Sequence, residues 1–114
     1  MSNETLAINQ LFSVKDKVAV VTGGSRGIGL MIAKGYIENG AKVYISSRKA
    51  EVCNAVAEEL SKIGECISIP ADLANKEGWD TLVNGIQERE DSLDILVNNA
   101  GAAWGEPFDE FPES

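Results

Sequence analysis

The chain has 114 residues, and 10 lysines and arginines against 18 aspartates and glutamates give it a formal net charge of −8. This length has room for a single domain, and so acidic a chain lacks the basic surface that binds nucleic acid. The sequence contains no histidine, which excludes a histidine general base, a histidine-containing triad and a histidine metal site within these residues. No apolar run approaches the roughly 20 residues of a membrane-spanning helix.

The two cysteines and the first residues indicate the compartment and the domain limits. Cys53 and Cys66 lie 13 positions apart and form no Cys-x-x-Cys motif, and Met1 to Gln10 is polar. Without the apolar core of a signal peptide, the simplest expectation is that both cysteines are reduced and buried in a cytoplasmic protein. We expect residues 1–13 to form a flexible arm and residues 14–114 to form the domain.

Strand patterns and helix patterns alternate along the chain. Short apolar runs are typical of parallel strands buried on both faces, and apolar residues between them recur at helical spacing. The runs are Val18–Val21, Val43–Ile45, Ile67–Ile69 and Leu93–Val97, and the helical stretches are 28–37, 52–63 and 79–86. Gly40 and Gly64 are placed to close the first and second helices, since glycine accepts the left-handed conformation that ends a helix.

This β-α-β-α-β-α-β order predicts an α/β fold, a Rossmann-like doubly wound parallel sheet with strand order 3-2-1-4. The first two helices are expected on one face of the sheet and the third on the other. Ligands of such sheets bind at the carboxyl ends of the strands, where the strand order reverses. The fourth strand ends as an apolar edge, and the pattern predicts a domain that is incomplete at its C-terminus.

A glycine-rich turn, Thr22–Gly29, separates the first strand from the first helix. Its spacing is Thr-Gly-x-x-x-Gly-x-Gly, which differs from both the Gly-x-Gly-x-x-Gly fingerprint and the Walker A loop. Glycines let backbone N–H groups approach a pyrophosphate, and the helix N-terminus adds a partial positive charge. The turn therefore favours phosphate binding.

The residues after the second strand bear on the choice of cofactor. In a dinucleotide fold an acid at this position hydrogen-bonds the ribose 2′-hydroxyl of NAD, whereas an arginine accommodates the 2′-phosphate of NADP. This sequence has Ser47 and Arg48 here and no acid, and Arg26 in the glycine-rich turn is a second cation. The pattern predicts NADP(H), the alternative being that Arg48 and Lys49 are solvated loop charges.

Two further motifs follow the third and fourth strands. Asp72, in Ala71–Leu73, is placed either to accept a hydrogen bond from an adenine amino group or to cap the next helix. Asn98–Gly101, with sequence Asn-Asn-Ala-Gly, is placed either to line the ligand crevice or to form a structural turn. The residues alone leave both alternatives open.

Together these motifs resemble the N-terminal half of a classical short-chain dehydrogenase/reductase, over about residues 10 to 105. The resemblance implies that the glycine-rich turn holds pyrophosphate and ribose, that Asp72 and Leu73 hold adenine, and that 99–101 lies along the ribose and nicotinamide. The expected NADP(H)-binding residues are Gly23, Ser25, Arg26, Gly27, Ile28, Gly29, Ser47, Arg48, Asp72, Leu73, Asn99, Ala100 and Gly101. No residue is assigned as catalytic or as a metal ligand.

The resemblance also implies an activity for the full-length parent. The arginines, with the segment Gly101–Gly105, are similar to NADPH-dependent 3-oxoacyl (β-ketoacyl) reductases, which reduce a carbonyl substrate. The family's catalytic serine and Tyr-x-x-x-Lys pair are not matched here, because neither Tyr36 nor Tyr44 has a helical lysine partner. We therefore expect the 114-residue chain to be inactive alone and the parent to be a homo-oligomer, a dimer or tetramer.

Two other functions remain possible from the sequence. One is a non-catalytic dinucleotide-binding or interaction module. The other is a fragment of an S-adenosylmethionine-dependent methyltransferase, which shares the α/β layout. The methyltransferase alternative expects an acid after the second strand, where this chain has Ser47 and Arg48.

Overall fold

The computed structural model describes residues 14–99. The expected arm at 1–13 and the positions Ala100 and Gly101 lie outside the described residues. Within 14–99, helices and strands alternate as the sequence predicts. The elements are β1 (Val18–Thr22), α1 (Gly27–Glu38), β2 (Lys42–Ser46), α2 (Ala50–Leu60), β3 (Glu65–Ser68), α3 (Lys76–Gln87) and β4 (Ile95–Asn98).

The strands form one parallel sheet in the order β3-β2-β1-β4. The central strand β1 pairs with β2 on one side, where Val20 aligns with Tyr44, and with β4 on the other, where Val20 aligns with Leu96. The predicted order 3-2-1-4 is confirmed. Because β1 and β4 are parallel neighbours, their carboxyl ends and the turn after β1 lie at the same end of the sheet, where the strand order reverses.

The helices divide between the two faces of the sheet as predicted. Helices α1 and α2 bury Ala33, Ile37, Ala57 and Leu60 against one face, and α3 buries an apolar cluster on the other. The α3 cluster consists of Val20, Tyr44, Ile69, Leu73, Trp79, Leu82 and Ile86. Each face therefore has its own core, and the α3 core reaches Leu73 in the connection between β3 and α3.

Both cysteines are buried, as expected, and neither takes part in a disulfide within the described residues. Cys53 points from α2 into the core, with its Sγ 3.6 Å from the Ile45 carbonyl oxygen. Burial raises the pKa of the Cys66 thiol to about 12. Cys66 therefore stays protonated and packs as a small apolar residue.

The two glycines predicted to close helices behave differently. Gly40 follows α1 with a φ of 93°, the left-handed conformation that was expected. The prediction for Gly64 was wrong, because α2 ends at Leu60, and Ile63 lies in a turn beyond it with half its side chain exposed. A Cβ on Gly64 would lie 2.4 Å from Ile37 Cγ2. The glycine is required there for close packing against α1 and does not end the helix.

The two edge strands, β3 and β4, do not coincide with the apolar runs that predicted them. β3 ends at Ser68, so that Ile69 lies beyond the strand while still packing into the α3 core. β4 begins at Ile95, and Leu93 lies before it in the connecting segment. None of the helices described within 14–99 has the length and apolar character needed to cross a membrane.

Candidate functional site

A cavity of about 600 Å³ opens at the carboxyl ends of the strands. All the sequence-predicted residues that the structure describes line it, with the exception of Gly29. Its walls are formed by Gly23, Ser25, Arg26, Gly27, Ile28, Ser46, Ser47, Arg48, Ala71, Asp72, Leu73, Ala74 and Asn99. Ser46 and Ala74 were not singled out from the sequence, and Ala71 was named there only as part of the Ala71–Leu73 motif.

The glycine-rich turn directs the first turn of α1 into this cavity. The N–H of Gly23 donates to the Ser46 carbonyl oxygen at 2.8 Å, which fixes the turn to the end of β2. Gly27 has a φ of 62°, and a Cβ built on it would meet nothing within 4 Å. Arg26, the N-cap of α1, provides no side-chain hydrogen bond. The first N–H groups of a helix have no intrahelical partner, so this end of α1 offers free donors.

Gly29 contributes by packing and does not line the cavity. A Cβ at this position would lie 2.1 Å from the Gly23 carbonyl oxygen and 2.7 Å from Asn99 Nδ2. No side chain fits between these groups. The glycine therefore lets α1 approach both the turn after β1 and the end of β4, and it brings three parts of the cavity wall together.

Positive charge is concentrated at two helix starts around the cavity. Arg26 caps α1, and Arg48 precedes Lys49, the N-cap of α2, which also makes no side-chain cap hydrogen bond. The side chains of Arg26 and Arg48 are exposed, and neither forms an ion pair or hydrogen bond with any residue in the described range. A cation at a helix N-terminus is unfavourable, because it adds to the positive end of the helix dipole. An anion bound between Arg26 and Arg48 would offset this unfavourable concentration of positive charge.

The end of β2 also carries unsatisfied hydroxyl groups. The side-chain oxygens of Ser46 and Ser47 are buried, and neither has a hydrogen-bond partner among residues 14–99. Buried hydroxyls without partners are rare and call for an explanation. Because both residues line the cavity, a polar ligand is one such partner.

The structure distinguishes the two alternatives for Asp72. Helix α3 is capped by Asn75, whose Oδ1 accepts the Gly78 N–H at 2.8 Å. Asp72 Oδ1 accepts the N–H of Ala74 at 3.0 Å, a local turn before the helix. The helix-cap alternative for Asp72 is therefore wrong. Its carboxylate lines the cavity and keeps Oδ2 without a partner within the part of the chain described.

The two asparagines after β4 have different surroundings. The Thr22 hydroxyl lies 3.0 Å from Asn98 Oδ1 and accepts the Asn99 N–H at 2.8 Å. These contacts join the ends of β1 and β4, as the structural alternative for this motif expects. Asn99 also lines the cavity and lies over Gly29. Asn98 therefore joins the two strand ends, whereas Asn99 also forms part of the cavity wall. The last two residues of the motif, Ala100 and Gly101, lie outside the described range.

The two tyrosines do not line the cavity. Tyr44 is fully buried beneath α3, and its hydroxyl donates to Glu90 Oε2 at 2.5 Å. Desolvation and this hydrogen bond raise the pKa of Tyr44 to about 12. With such a pKa and no access to the cavity, Tyr44 is a structural residue.

Comparison with known sequences agrees with this geometry. The sequence model of the short chain dehydrogenase family matches residues 17–114. The chain belongs to the short-chain dehydrogenase family. The rhamnolipids biosynthesis 3-oxoacyl-[acyl-carrier-protein] reductase of Pseudomonas aeruginosa is 50% identical to it over 103 residues, which cover 90% of this chain and 40% of that protein.

Solved structures of short-chain dehydrogenases share the fold. The Pseudomonas aeruginosa RhlG/NADP active-site complex aligns with a TM-score of 0.76 at 47% identity, covering 90% of this chain and 40% of that one. L-Sorbose reductase from Gluconobacter frateurii, complexed with NADPH and L-sorbose, aligns with a TM-score of 0.75 at 37% identity, covering 79% and 35%. The chain thus spans less than half the length of these relatives.

Proposed function

We propose that the cavity at the carboxyl ends of the strands binds NADP(H), and that this chain forms the cofactor-binding half of an NADPH-dependent oxidoreductase. The donors present fit the cofactor. The free N–H groups at the start of α1 and the open side of Gly27 suit a pyrophosphate. Asp72 has a free carboxylate oxygen for the adenine amino group.

The observation that carries the proposal is the pair of arginines at the cavity. Arg26 and Arg48 have no partner among the described residues, and the Ser47 hydroxyl is buried without one. A 2′-phosphate on the adenine ribose would supply an anion for both cations and an acceptor for the hydroxyl. The positions directly after β2 hold Ser47 and Arg48, whereas NAD would require an acid there for the 2′-hydroxyl.

For the whole protein we propose reduction of a carbonyl substrate of the 3-oxoacyl type. The proposal is supported by the 50% identity to a 3-oxoacyl-[acyl-carrier-protein] reductase. The family's serine and Tyr-x-x-x-Lys pair are not matched in residues 1–114, so our proposal for this chain alone is binding without turnover. A cytoplasmic homo-oligomer, a dimer or tetramer, remains our proposal for the parent.

The alternatives are distinguished by the same cavity. A methyltransferase requires a carboxylate after β2 to hold the ribose, whereas this chain has Ser47 and Arg48, and its sequence matches the dehydrogenase family. A dinucleotide-binding module without catalysis makes the same cofactor contacts. Only turnover by the whole protein separates it from a reductase.

The test is calorimetric titration of the chain with NADPH, NADH and S-adenosylmethionine. We expect NADPH to bind more tightly than NADH, and S-adenosylmethionine not to compete. Arg48→Asp is expected to weaken NADPH by roughly ten- to a hundredfold, because a charge-assisted hydrogen bond contributes about 1.5–3 kcal/mol. The same change is expected to improve NADH, because it creates an acceptor for the 2′-hydroxyl.

The matched control is Lys34→Asp. Lys34 is an exposed cation of α1 outside this cavity and forms no ion pair or hydrogen bond with the described residues. Its replacement by aspartate changes the net charge by the same amount as Arg48→Asp. We expect it to leave the ratio of NADPH to NADH affinity unchanged. An unchanged ratio in Arg48→Asp would contradict the proposed role of Arg48 with the 2′-phosphate.

A further inference from the structure

A buried indole forms a hydrogen bond with the part of the cavity wall that contains Asp72 and Leu73. Trp79, in the first turn of α3, is almost fully buried, and its Nε1–H donates to the Leu73 carbonyl oxygen at 2.8 Å. Leu73 lines the cavity on one side and packs with Trp79 in the α3 core on the other. The bond therefore joins the core of the domain directly to the backbone of the cavity wall.

The same helix contacts this wall at a second point. A Cβ on Gly78 would lie 1.7 Å from the carbonyl oxygen of Asp72, so the backbone of α3 lies against that of Asp72. The Asn75 cap then sets where α3 begins. Hydrogen bonds from Ala74 to Asp72 and from Gly78 to Asn75 shape this segment locally, and the Trp79 bond ties Leu73 to a buried side chain.

We propose that Trp79 is a positioning residue for base recognition, which holds Leu73 so that the adjacent Asp72 carboxylate faces the adenine amino group. This inference rests on the proposed function. Trp79 itself does not line the cavity. Loss of its N–H donor frees the Leu73 carbonyl, and the hydrogen bond between Asp72 and the base is then lost or weakened, while the phosphate contacts at α1 and Arg48 remain.

The test compares two cofactors that differ in the base. Nicotinamide hypoxanthine dinucleotide phosphate carries a carbonyl oxygen where NADPH has the adenine amino group, and its reduced form is titrated beside NADPH. We expect the wild-type chain to prefer NADPH by at least about tenfold, the lower end of the range for one hydrogen bond to a carboxylate. In Trp79→Phe we expect this preference to fall to threefold or less, mainly because NADPH binds more weakly.

Tyr44→Phe is the matched control. Tyr44 is fully buried in the same α3 core and donates to Glu90 at the amino end of the sheet, so this variant loses a partly buried hydrogen bond that involves none of residues 71–74. We expect it to lower the unfolding temperature and to keep the tenfold preference. A purely structural role of Trp79 would lower stability in the same way and leave the preference intact.

A second replacement removes the N–H donor at nearly constant volume. In a Trp104→Phe background, which leaves Trp79 as the only tryptophan of the chain, Trp79 is replaced biosynthetically by benzothienylalanine, whose sulfur occupies the position of the indole nitrogen. We expect the same loss of base preference in a chain whose core remains filled, relative to the Trp104→Phe parent.

The outcomes separate this inference from the proposed function. If the wild type binds neither dinucleotide, both fail. If it binds both equally, or if the preference survives in Trp79→Phe and in the benzothienylalanine protein, the inference fails and the proposed function stands. Collapse of the preference in Tyr44→Phe as well would assign the effect to core packing in general and would overturn the role of the indole N–H.

Discussion

Gly29 shows how one missing side chain organises the candidate site. The positions of the Gly23 carbonyl and of Asn99 Nδ2 leave no room for a Cβ between α1 and the strand ends. Gly35 lies six residues later in the same helix, and a Cβ there would meet nothing within 4 Å. The two glycines thus differ in tertiary contacts while sharing one secondary structure.

This contrast gives a prediction for Gly29→Ala and Gly35→Ala. The first change is expected to destabilise the fold by about 1–3 kcal/mol through overpacking and to abolish NADPH binding, because α1 must move away from Gly23. The second is expected to stabilise the helix by about 0.5–1 kcal/mol and leave binding unchanged. Chemical denaturation and calorimetric titration measure both effects. Tight NADPH binding by Gly29→Ala would show that α1 shifts without disturbing the cavity.

At the scale of elements, β2 is tied to the turn after α3 by three side chains. Glu90 Oε2 accepts from the Tyr44 hydroxyl and from Lys42 Nζ, each at 2.5 Å. Hydrogen bonds from Lys42 and then Tyr44 lower the pKa of Glu90. Lys42 Nζ also forms an ion pair with Glu65 Oε2 of β3, at 3.7 Å. The contacts hold the amino end of the sheet together, opposite the cavity.

The lowered pKa of Glu90 predicts a pH dependence of stability. A carboxylate whose pKa is lower in the folded state stabilises it above the unfolded value, near 4.3, and loses that contribution as the pH falls through the folded pKa. We expect Glu90→Gln to be less stable than wild type by about 1–3 kcal/mol at pH 7, with the difference shrinking below about pH 4. Denaturation at several pH values measures this.

The control for this series is Glu58→Gln. Glu58 is exposed on α2 and forms no ion pair or hydrogen bond with the described residues, so we expect its substitution to change stability little. The raised pKa of Tyr44, about 12, adds a second limit. Stability is expected to fall as the pH rises from about 10, the unfolded value, towards 12. A constant difference between Glu90→Gln and wild type from pH 3 to 7 would contradict the assignment.

The order of elements was predictable from the sequence, but several of their ends were not. Alternating apolar runs and helical spacing fix which segments are strands, because a strand buried on both faces is apolar throughout. The end of α2 and the role of Gly64 depend on Ile37, which is distant in the sequence. Likewise, Asp72 and Asn75 are both good helix caps, and only the geometry of the first turn of α3 selects Asn75.

The candidate site shows the same division. The glycine-rich turn and the arginines are local signals, and they were predicted. The unpartnered Ser46 hydroxyl and the bond from Trp79 to Leu73 arise from packing between segments, and no local pattern marks them. The sequence pattern predicts Trp79 only as one residue of the apolar face of a helix.

At the scale of the whole molecule, the two faces of the sheet are covered unequally. Leu96 of β4 aligns with Val20 of β1, which packs in the α3 core, and therefore points to the α3 side. Val20 is fully buried, but Leu96 is 46% exposed, so α3 covers β1 and leaves β4 uncovered. Ile95 and Val97, on the other face, pack against the core under α1 and α2. Within residues 14–99, β4 therefore presents an exposed apolar side chain, Leu96, on the α3 side of the sheet.

This surface predicts that the isolated 114-residue chain binds a hydrophobic dye and self-associates, because exposed apolar patches on sheet faces promote both. Leu96→Asn is expected to lower dye fluorescence and self-association, measured by titration and by analytical ultracentrifugation. Met31→Asn is the control, since Met31 is more exposed, at 72%, but lies on α1. We expect it to change either signal less than Leu96→Asn does. A monomeric wild-type chain without dye binding, or equal effects of the two variants, would contradict the assignment of the apolar surface to β4.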